Sequence, residues 1–298
     1  MHNPQVLLVK YDAKLKMTEN EYQIYEDNMV AFGTVVYGSA MPFFDMFFAS
    51  LKRQTYLNFD IIIVNDDIEN SYLQKWMDGI EHRVILIDKM GLGKTPAELR
   101  VDLLRCAKQR GYDLLVIGDC DDWFHEDRVK ELAAAFQQHP ECAFFYNELL
   151  LPNGDKALKS FPIRLDSVHE ILQHNFVGLS NSAINLNRLS DEFLHTLDEY
   201  KGKVFDWYLF SRILCNGGRG VLVSKAISFY RLHQGNIAGI SRELQFEREY
   251  EIKTAHYSYM KKYSPEYQIL LNKLQKISKP QIHISSNEKS FWWDNILL

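Results

Sequence analysis

Three carboxylates stand directly after a short apolar run near the middle of the chain. The run is Leu114–Ile117, and the acidic residues are Asp119, Asp121 and Asp122. Carboxylates this close raise one another's pKa and repel, so they require a cation, a hydrogen-bond network or solvent. Mg²⁺-type ions are held by one or two carboxylates together with substrate phosphates. On these residues alone, a metal site for a phosphorylated ligand and a solvated acidic loop both stay open.

Two further residues could take part in the same chemistry. Asp206 stands at the start of an apolar segment that predicts a helix, where a carboxylate stabilises the helix dipole by about 0.3–1 kcal/mol. Between apolar neighbours it could instead be a general base, because desolvation raises a carboxyl pKa toward neutrality. His233 is more simply explained as a surface or core histidine, although imidazole beside carboxylates also suits a divalent metal. Taken one at a time, both residues favour the structural interpretation.

Two familiar motifs are disfavoured by position. Residues 91–95 contain Gly-Lys-Thr, but Asp88 stands where a phosphate-binding loop requires glycine, so we reject a nucleoside triphosphatase. Some phosphate contact from this stretch stays open. The pair Asp119 and Asp121 also suggests a phosphatase nucleophile, but such a pair is expected after the first strand, with a small hydroxyl residue nearby. Here it follows the fourth predicted strand, so that reading is weak.

The elements that must position these residues alternate along the first half of the chain. The apolar patterns predict strands at residues 30–37, 59–64, 84–87 and 114–117, and helices at 42–51, 72–80 and 95–109. Such alternation specifies a mostly parallel α/β sheet covered by helices on both faces. Ligands bind beyond the carboxyl ends of such strands. Asp66 and Asp67 follow the second strand, so we expect them at the same edge as Asp119.

The remaining segments divide the chain into three parts. We predict an N-terminal extension (1–28) with one strand at Val6–Lys10, a main domain (29–240), and a C-terminal helical segment and tail (241–298). Within the main domain, residues 143–146 and 157–161 flank Pro-Asn-Gly at 152–154, which predicts a hairpin. Residues 205–214 predict a helix and 221–230 a strand. The tail carries three consecutive aromatic residues at 291–293, which could dock on the protein or touch a membrane, and docking is favoured.

Composition limits the function class. The chain has 298 residues and a formal net charge of −5, which argues against nucleic acid as a bulk partner. Its four cysteines are widely spaced and lack a CxxC pair, as expected for reduced thiols. No secretory signal is recognised, and no apolar run approaches the roughly 20 residues of a membrane span. We therefore expect a cytoplasmic protein, with peripheral membrane contact as the remaining alternative.

Together, the motifs resemble the family 2 glycosyltransferases of the GT-A fold. The matching pieces, in chain order, are residues 50–59, 61–67, Arg100, 119–123, 205–206 and 230–233. The resemblance implies an α/β fold with a Rossmann-like mixed, mostly parallel sheet flanked by helices, followed by a C-terminal helical extension. It implies an inverting enzyme that moves a sugar from a nucleoside diphosphate sugar to a glycan or lipid-linked acceptor, as in polysaccharide biosynthesis.

The resemblance also assigns roles. Donor-binding positions correspond to Val36, Tyr37, Gly38, Asp66, Arg100, Asp119, Asp121 and Arg231. A Mn²⁺ or Mg²⁺ ion, held in a DXD motif, would lie on Asp121, Asp122 and His233. Asp206 corresponds to the catalytic base, and acceptor contacts are expected from the second half, at Trp207 and Asn181.

The chain departs from the family pattern at three places. Residues 36–39 replace the usual polar residues, residues 67–69 replace Asp-Gly-Ser, and Phe205 precedes the expected base. Two other function classes are therefore weighed. A GT-A-like module that binds nucleotide or glycan without turnover is the main alternative. A sugar nucleotidyltransferase ranks last, because residues 36–42 lack its glycine-rich basic loop.

Overall fold

The computed structural model describes residues 6–10 (backbone only), 29–89, 92–158, 161–233, 235–237, 245–277 and 291–298. Its strands are β1 (Val6–Lys10), β2 (Val30–Val36), β3 (Asp60–Asn65), β4 (Val84–Asp88), β5 (Leu114–Ile117), β6 (Trp123–Phe124), β7 (Phe144–Leu150), β8 (Arg164–Leu165), β9 (Ser182–Asn185) and β10 (Gly220–Phe229). Its α-helices are α1 (Phe44–Lys52), α2 (Asn70–Met77), α3 (Pro96–Gln109), α4 (Arg128–Gln138), α5 (Asp191–Thr196), α6 (Phe205–Cys215), α7 (Gln245–Met260) and α8 (Pro265–Leu274).

The described strands form one mixed sheet in the order β1-β4-β3-β2-β5-β9-β7-β10-β6, with β8 beside β10. From β1 to β5 every pair is parallel. The short β9 lies antiparallel between β5 and β7, and β10 returns parallel to β7. The predicted α/β architecture with a mostly parallel sheet is confirmed, and β1 of the predicted extension is an edge strand of that sheet.

The central strands are buried on both faces, as their continuous apolar runs predict. In β3, Ile61 and Ile63 pack into one core, whereas Ile62 and Val64 pack into the other. Successive side chains on a strand point to opposite faces, so each apolar run contributes to both cores. The helices α1 and α2 cover one face, and α3 and α6 cover the other. This arrangement fixes the strand ends from which the polar loops emerge.

Most predicted elements of the first half are present with shifts of one to three residues. The helix predicted at 42–51 is α-helical only from Phe44, because residues Gly38–Phe43 form a 3₁₀ turn that runs into α1. Thr95 is the cap of α3 rather than its first residue, since its hydroxyl accepts from the Glu98 N–H and the Glu98 carboxylate accepts from the Thr95 N–H.

The predicted hairpin is wrong in its second strand. After β7 and the turn at 152–154, the described residues show only an isolated bridge between Leu150 and Lys156. Instead β7 takes its partners from far along the chain, namely β9 and β10. The four-residue β9 was not predicted, because its short run Ser-Ala-Ile-Asn carries little apolar signal.

The C-terminal helices α7 and α8 pack on α6, and residues 291–298 return to the main domain. Trp292 exchanges two backbone hydrogen bonds with Asn175, of 2.9 and 2.8 Å. Docking of this tail on the protein, the favoured alternative, is therefore observed. No helix within the described ranges combines the length and apolarity that crossing a bilayer requires.

Candidate active site

A cavity of about 430 Å³ opens at the carboxyl ends of the central strands. The loop after β2 contributes Tyr37, the loop after β3 contributes Asp66, and the loop after β5 contributes the acidic loop, residues 119–122. Helix α3 contributes Arg100, and the start of α6 contributes Asp206. The chain thus brings together polar side chains from five separate segments, as expected where parallel strands end.

The Asp119 carboxylate forms an ion pair with the guanidinium group of Arg100. Arg100 Nη2 lies 3.1 Å from Asp119 Oδ1, and both side chains are partly exposed to the cavity. The backbone N–H of Asp119 donates to Ser180 Oγ at 3.3 Å, which ties the acidic loop to the segment before β9. Burial raises the pKa of Asp119, while Arg100 opposes that rise. Arg100 therefore partly offsets the negative charge of the loop.

Asp121 is the meeting point of two side chains from distant segments. Its Oδ2 accepts from the Tyr37 hydroxyl at 3.2 Å and lies 2.9 Å from His233 Nε2. Burial raises the pKa of Tyr37, so this hydroxyl stays protonated as a donor. His233 Nδ1 accepts from the backbone N–H of Gly235 at 3.1 Å, which places the ring proton on Nε2, facing Asp121.

Asp122 is almost fully buried at the inner wall of the cavity. Its Oδ1 accepts from the backbone N–H of Arg231 at 2.9 Å, and its side chain also hydrogen-bonds Ser180. Burial raises the pKa of Asp122 well above its usual range, and the neighbouring Asp121 charge adds to the rise. Asp122 therefore fixes the loop between β5 and the strand end of β10.

Asp206 occupies the first turn of α6, half-buried in the cavity wall. Its Oδ1 accepts from the backbone N–H of Trp207 at 2.8 Å, which orients the carboxyl group. Burial raises its pKa from 3.8 to about 6, against the opposing effect of that hydrogen bond and of Arg100. A carboxylate tuned toward neutrality, in a cleft beside other polar groups, is suited to accept a proton.

The end of β2 and the start of the next turn only partly match the predicted donor contacts. Tyr37 lines the cavity, but the Val36 side chain is fully buried in the core and its carbonyl accepts from the Asp66 N–H at 2.9 Å. Gly38 starts the 3₁₀ turn outside the described cavity wall. Predicted contacts from Val36 and Gly38 are thus corrected. Asp66 does line the cavity, where burial and the neighbouring Asp67 raise its pKa.

Residues 35–153 match the family model described as Glycosyl transferase family 2. This match runs from the end of β2 through β7 and includes the acidic loop. Residues 35–153 are thus similar to family 2 glycosyltransferases. Comparison with curated protein sequences gave no significant match. The segments that supply Asp206 and His233 lie beyond the matched residues, so their roles are not settled by the family model.

Solved structures of glycosyltransferases share the fold of this chain. Residues 1–349 of S. aureus TarS in complex with UDP-GlcNAc align at 14% identity and a TM-score of 0.55, over 83% of this chain and 71% of that chain. The mannosyltransferase PcManGT from Pyrobaculum calidifontis, in complex with GDP-Man and Mn²⁺, aligns at 12% identity and a TM-score of 0.52, over 83% and 70%. At such identities the likeness concerns the fold, and it confirms the GT-A architecture.

The described part of the chain offers a divalent ion only a partial set of ligands. No group of three or more His, Cys, Asp or Glu side chains within this part converges as a ready-made metal site. Asp121 and His233 do form a close pair at the cavity edge, and Asp122 lines the cavity behind them. Because Mg²⁺-type ions take one or two protein ligands and complete their shell with phosphate oxygens, this set fits a metal that arrives with a diphosphate.

The predicted donor contact of Arg231 is corrected by the structure. The Arg231 guanidinium does not line the described cavity: its Nε donates to the Asp121 carbonyl, and it lies over the Phe43 and Trp123 rings. Arg231 therefore holds the acidic loop and is not placed as a direct donor contact.

The two predicted acceptor residues are used within the protein. Trp207 is fully buried, stacks on His256, and donates from Nε1 to the Ile171 carbonyl. Asn181 lies in the cavity wall, but its Oδ1 accepts from Gly178 and its Nδ2 donates to two carbonyl groups. Trp207 faces inward because the helical period places it opposite the cavity side of α6.

Sequence reasoning missed several residues of the wall. Ser180 holds both Asp119 and Asp122, yet nothing in its local sequence marks it. Tyr230, Trp292 and Trp293 also line the cavity. The sequence shows three consecutive aromatic residues at 291–293, but the position of Trp292 and Trp293 in the cavity wall depends on contacts with distant residues such as Asn175.

Proposed function

We propose that the protein transfers a sugar from a nucleoside diphosphate sugar to an acceptor hydroxyl, with inversion at the anomeric carbon. The observation that carries this proposal is the position of Asp206. This carboxyl, with a pKa of about 6, shares one cavity with the acidic loop and with Asp66. A proton acceptor is thus placed beside residues suited to hold a diphosphate and its metal.

The donor would lie across the ends of β2, β3 and β5. Asp66 and Tyr37 line the part of the cavity at β2 and β3, where the nucleoside would bind. Arg100 and Asp119 would approach the ribose and diphosphate from α3 and the acidic loop. Related folds support this class of ligand, since TarS structures contain UDP or UDP-GlcNAc and the PcManGT structure contains GDP-Man.

Asp121, Asp122 and His233 would hold Mn²⁺ or Mg²⁺. When bound, the metal offsets the negative charge that develops on the leaving diphosphate. For His233 to bind a metal through Nε2, the ring proton must move to Nδ1, where the Gly235 N–H now donates. The hydrogen bond between His233 and Gly235 would then break, so donor and metal binding should change the conformation of His233 and of residues 235–237.

Asp206 would act on the acceptor. As the acceptor oxygen attacks the anomeric carbon, its proton passes to the Asp206 carboxylate and the bond to the diphosphate oxygen breaks on the opposite face. The Trp207 N–H holds the carboxyl in place during this step. Removing such a base commonly lowers the rate by about 10²–10⁴. The acceptor class is a glycan or a lipid-linked saccharide.

The test combines donor binding with turnover. Purified protein is screened by thermal shift against UDP-, GDP- and dTDP-sugars with and without Mn²⁺. A ligand at 100 times its dissociation constant adds about 2.7 kcal/mol of stability. Donor hydrolysis and sugar transfer are then measured for the wild type and for Asp206→Asn. We expect the variant to bind the donor normally and to lose turnover.

A matched control is Asp191→Asn, which removes an exposed first-turn carboxylate from α5. It should leave both donor binding and turnover unchanged. Donor binding without hydrolysis or transfer by the wild type would instead favour a GT-A-like module that binds nucleotide without turnover. Absence of binding to every nucleotide sugar, with metal present, would contradict the proposed function.

A further inference from the structure

Residues 291–298 form a segment, called here the tail, that closes one side of the cavity. Trp292 and Trp293 line the cavity together with Asp206. Phe291 stacks on His174 with ring centroids 4.7 Å apart and an interplanar angle of 12°. The tail therefore belongs to the wall of the site and is not merely attached to the outside of the protein.

A buried ion pair on α7 holds the backbone of the tail. Glu249 and Lys253 are almost completely buried and lie 3.1 Å apart. The Glu249 carboxylate accepts from the N–H groups of Asn295 and Ile296, and Lys253 donates to the Ile296 carbonyl. A buried charge pair with its hydrogen bonds satisfied in this way fixes one geometry. Through these hydrogen bonds, α7 fixes the position of the aromatic residues 291–293, which precede Asn295 in the tail.

The Trp292 ring is held tightly from two sides. A Cβ atom on Gly178 would lie 3.0 Å from the ring, so a larger residue there would crowd it. On another side, the Tyr230 ring lies 5.9 Å away between ring centroids. Trp293 has a φ of 64°, the one positive value among the non-glycine residues of the described ranges. Such a backbone is strained and persists only where its surroundings impose it, which is often a functional site.

The sheet order places the tail away from the nucleoside end of the cavity. Asp66 follows β3, which lies on one side of β5, whereas Trp292 packs beside the end of β10 and the segment before β9, on the other side. The acidic loop after β5 lies between them. With the nucleoside at Asp66, the remaining space beside Trp292 and Asp206 is where an acceptor would enter.

We propose that the partly exposed Trp292 side chain, next to the largely buried Trp293, forms an acceptor subsite that binds a sugar ring of a glycan. This inference rests on the proposed glycosyl transfer. A sugar ring presents apolar C–H faces and polar hydroxyl edges, which suits an aromatic wall bordered by polar side chains. Lys203, Ser180 and Asn236 supply polar groups on the same cavity surface. A lipid chain would find these polar groups unfavourable, so the aromatic residues favour a carbohydrate.

The test uses the full chain and a defined set of probes. Binding of p-nitrophenyl glycosides of glucose, galactose, mannose and N-acetylglucosamine is measured by saturation-transfer NMR, in the presence of UDP or GDP and Mn²⁺. Trp292→Leu retains apolar volume but removes the flat ring. We expect it to lower glycoside affinity about tenfold, because the flat ring face that would pack on the C–H groups of the sugar is lost. Trp292→Phe should retain most of the affinity.

Two readouts separate this proposal from the proposed function. Nucleotide affinity should be unchanged in Trp292→Leu, and Leu297→Ala, which changes an exposed tail residue, should alter neither affinity. Failure of the wild type to bind any nucleotide sugar contradicts the proposed function itself. If the wild type binds nucleotide but no glycoside, the acceptor subsite is overturned. It is also overturned if glycoside affinity is the same in the wild type and in Trp292→Leu. Trp292-dependent binding to phosphatidylglycerol vesicles instead of glycosides overturns it as well.

Discussion

The two sides of the cavity are built in different ways. One side, called here the nucleoside side because we propose that the nucleoside binds there, is formed by Tyr37, Asp66 and the acidic loop. Each of these follows directly after a buried parallel strand. On the tail side, the wall is assembled from residues far apart, such as Gly178 and Trp292, which pack together although more than a hundred positions separate them. The difference shows that one half of the site is positioned by local order along the chain, and the other half only by tertiary packing.

Arg128 joins the two sides, and its loss should have the largest effect. This fully buried residue of α4 donates to the Ile117 and Ser182 carbonyls and to Asn147 Oδ1. Arg128→Leu would leave three buried acceptors unsatisfied, so we expect a loss of about 3–5 kcal/mol in the free energy of unfolding. Urea denaturation measures this. Arg188→Leu, an exposed arginine with one carbonyl contact, is the control and should lose under about 1 kcal/mol. Equal effects would contradict the joining role of Arg128.

The sequence predicted the nucleoside side well because strand alternation and buried apolar runs are local signals. Leu114–Ile117 was placed correctly at both ends, and the carboxylates that follow it do line the cavity. Local sequence signals did not predict the pairing of strands that are far apart along the chain. The hairpin after β7 was expected from its turn sequence, but β7 pairs with β9 and β10 instead.

The site predictions divide in the same way. Asp206 and Asp119 fall in the cavity because each begins or ends an element whose pattern was clear. Trp207, one residue further along α6, was misplaced because its direction depends on how the helix is rotated in the fold. Arg231 was given a ligand role, although tertiary contacts turn it toward the acidic loop. Residue type and order predicted the site's location, and packing decided which side chains face it.

The acidic loop should show the next largest effect, in donor binding. Asp121→Asn removes the charge that faces His233 and Tyr37. We expect donor affinity with Mn²⁺ to fall about 10–100-fold, the loss of one charged interaction of about 1.5–3 kcal/mol. Calorimetric titration with and without EDTA measures the effect. In EDTA the wild type and the variant should bind the donor with about equal affinity. Equal affinity in the presence of Mn²⁺ would contradict the assignment of Asp121 as a metal ligand.

Substitution of Asp206 should have a smaller effect, on the free energy of unfolding. We expect Asp206→Asn to stabilise the protein although it lowers the turnover rate. The pKa of Asp206 is raised from 3.8 to about 6 on folding, so the folded protein holds the proton more tightly and stability falls as pH rises across this window. Asp206→Asn removes this penalty. We expect the variant to be more stable by about 1–2 kcal/mol above about pH 6, allowing for partial exposure. Thermal unfolding at about pH 4 and about pH 8 measures it, and a gain that is the same at both values would contradict the raised pKa.

The smallest effect is expected at Gly178, on the tail side. Gly178→Ala would place a Cβ atom 3.0 Å from the Trp292 ring and 3.2 Å from Asn181 Oδ1. A shift of the ring should lower glycoside affinity about fivefold, or about 1 kcal/mol, with nucleotide affinity unchanged. Gly38→Ala is the matched control, because its Cβ would lie 4.0 Å from its nearest neighbour, the Asp67 carbonyl. Loss of nucleotide binding in Gly178→Ala would break the separation between the two sides.

The central claim is that Asp206 accepts the acceptor's proton inside this cavity. The most direct measurement is the turnover rate of the wild type, at saturating donor and metal, as a function of pH. The account predicts a rate that rises tenfold per pH unit below an apparent pKa near 6 and levels off above it, as the Asp206 carboxyl ionises. A rate that stays constant from about pH 4 to about pH 8 would contradict it.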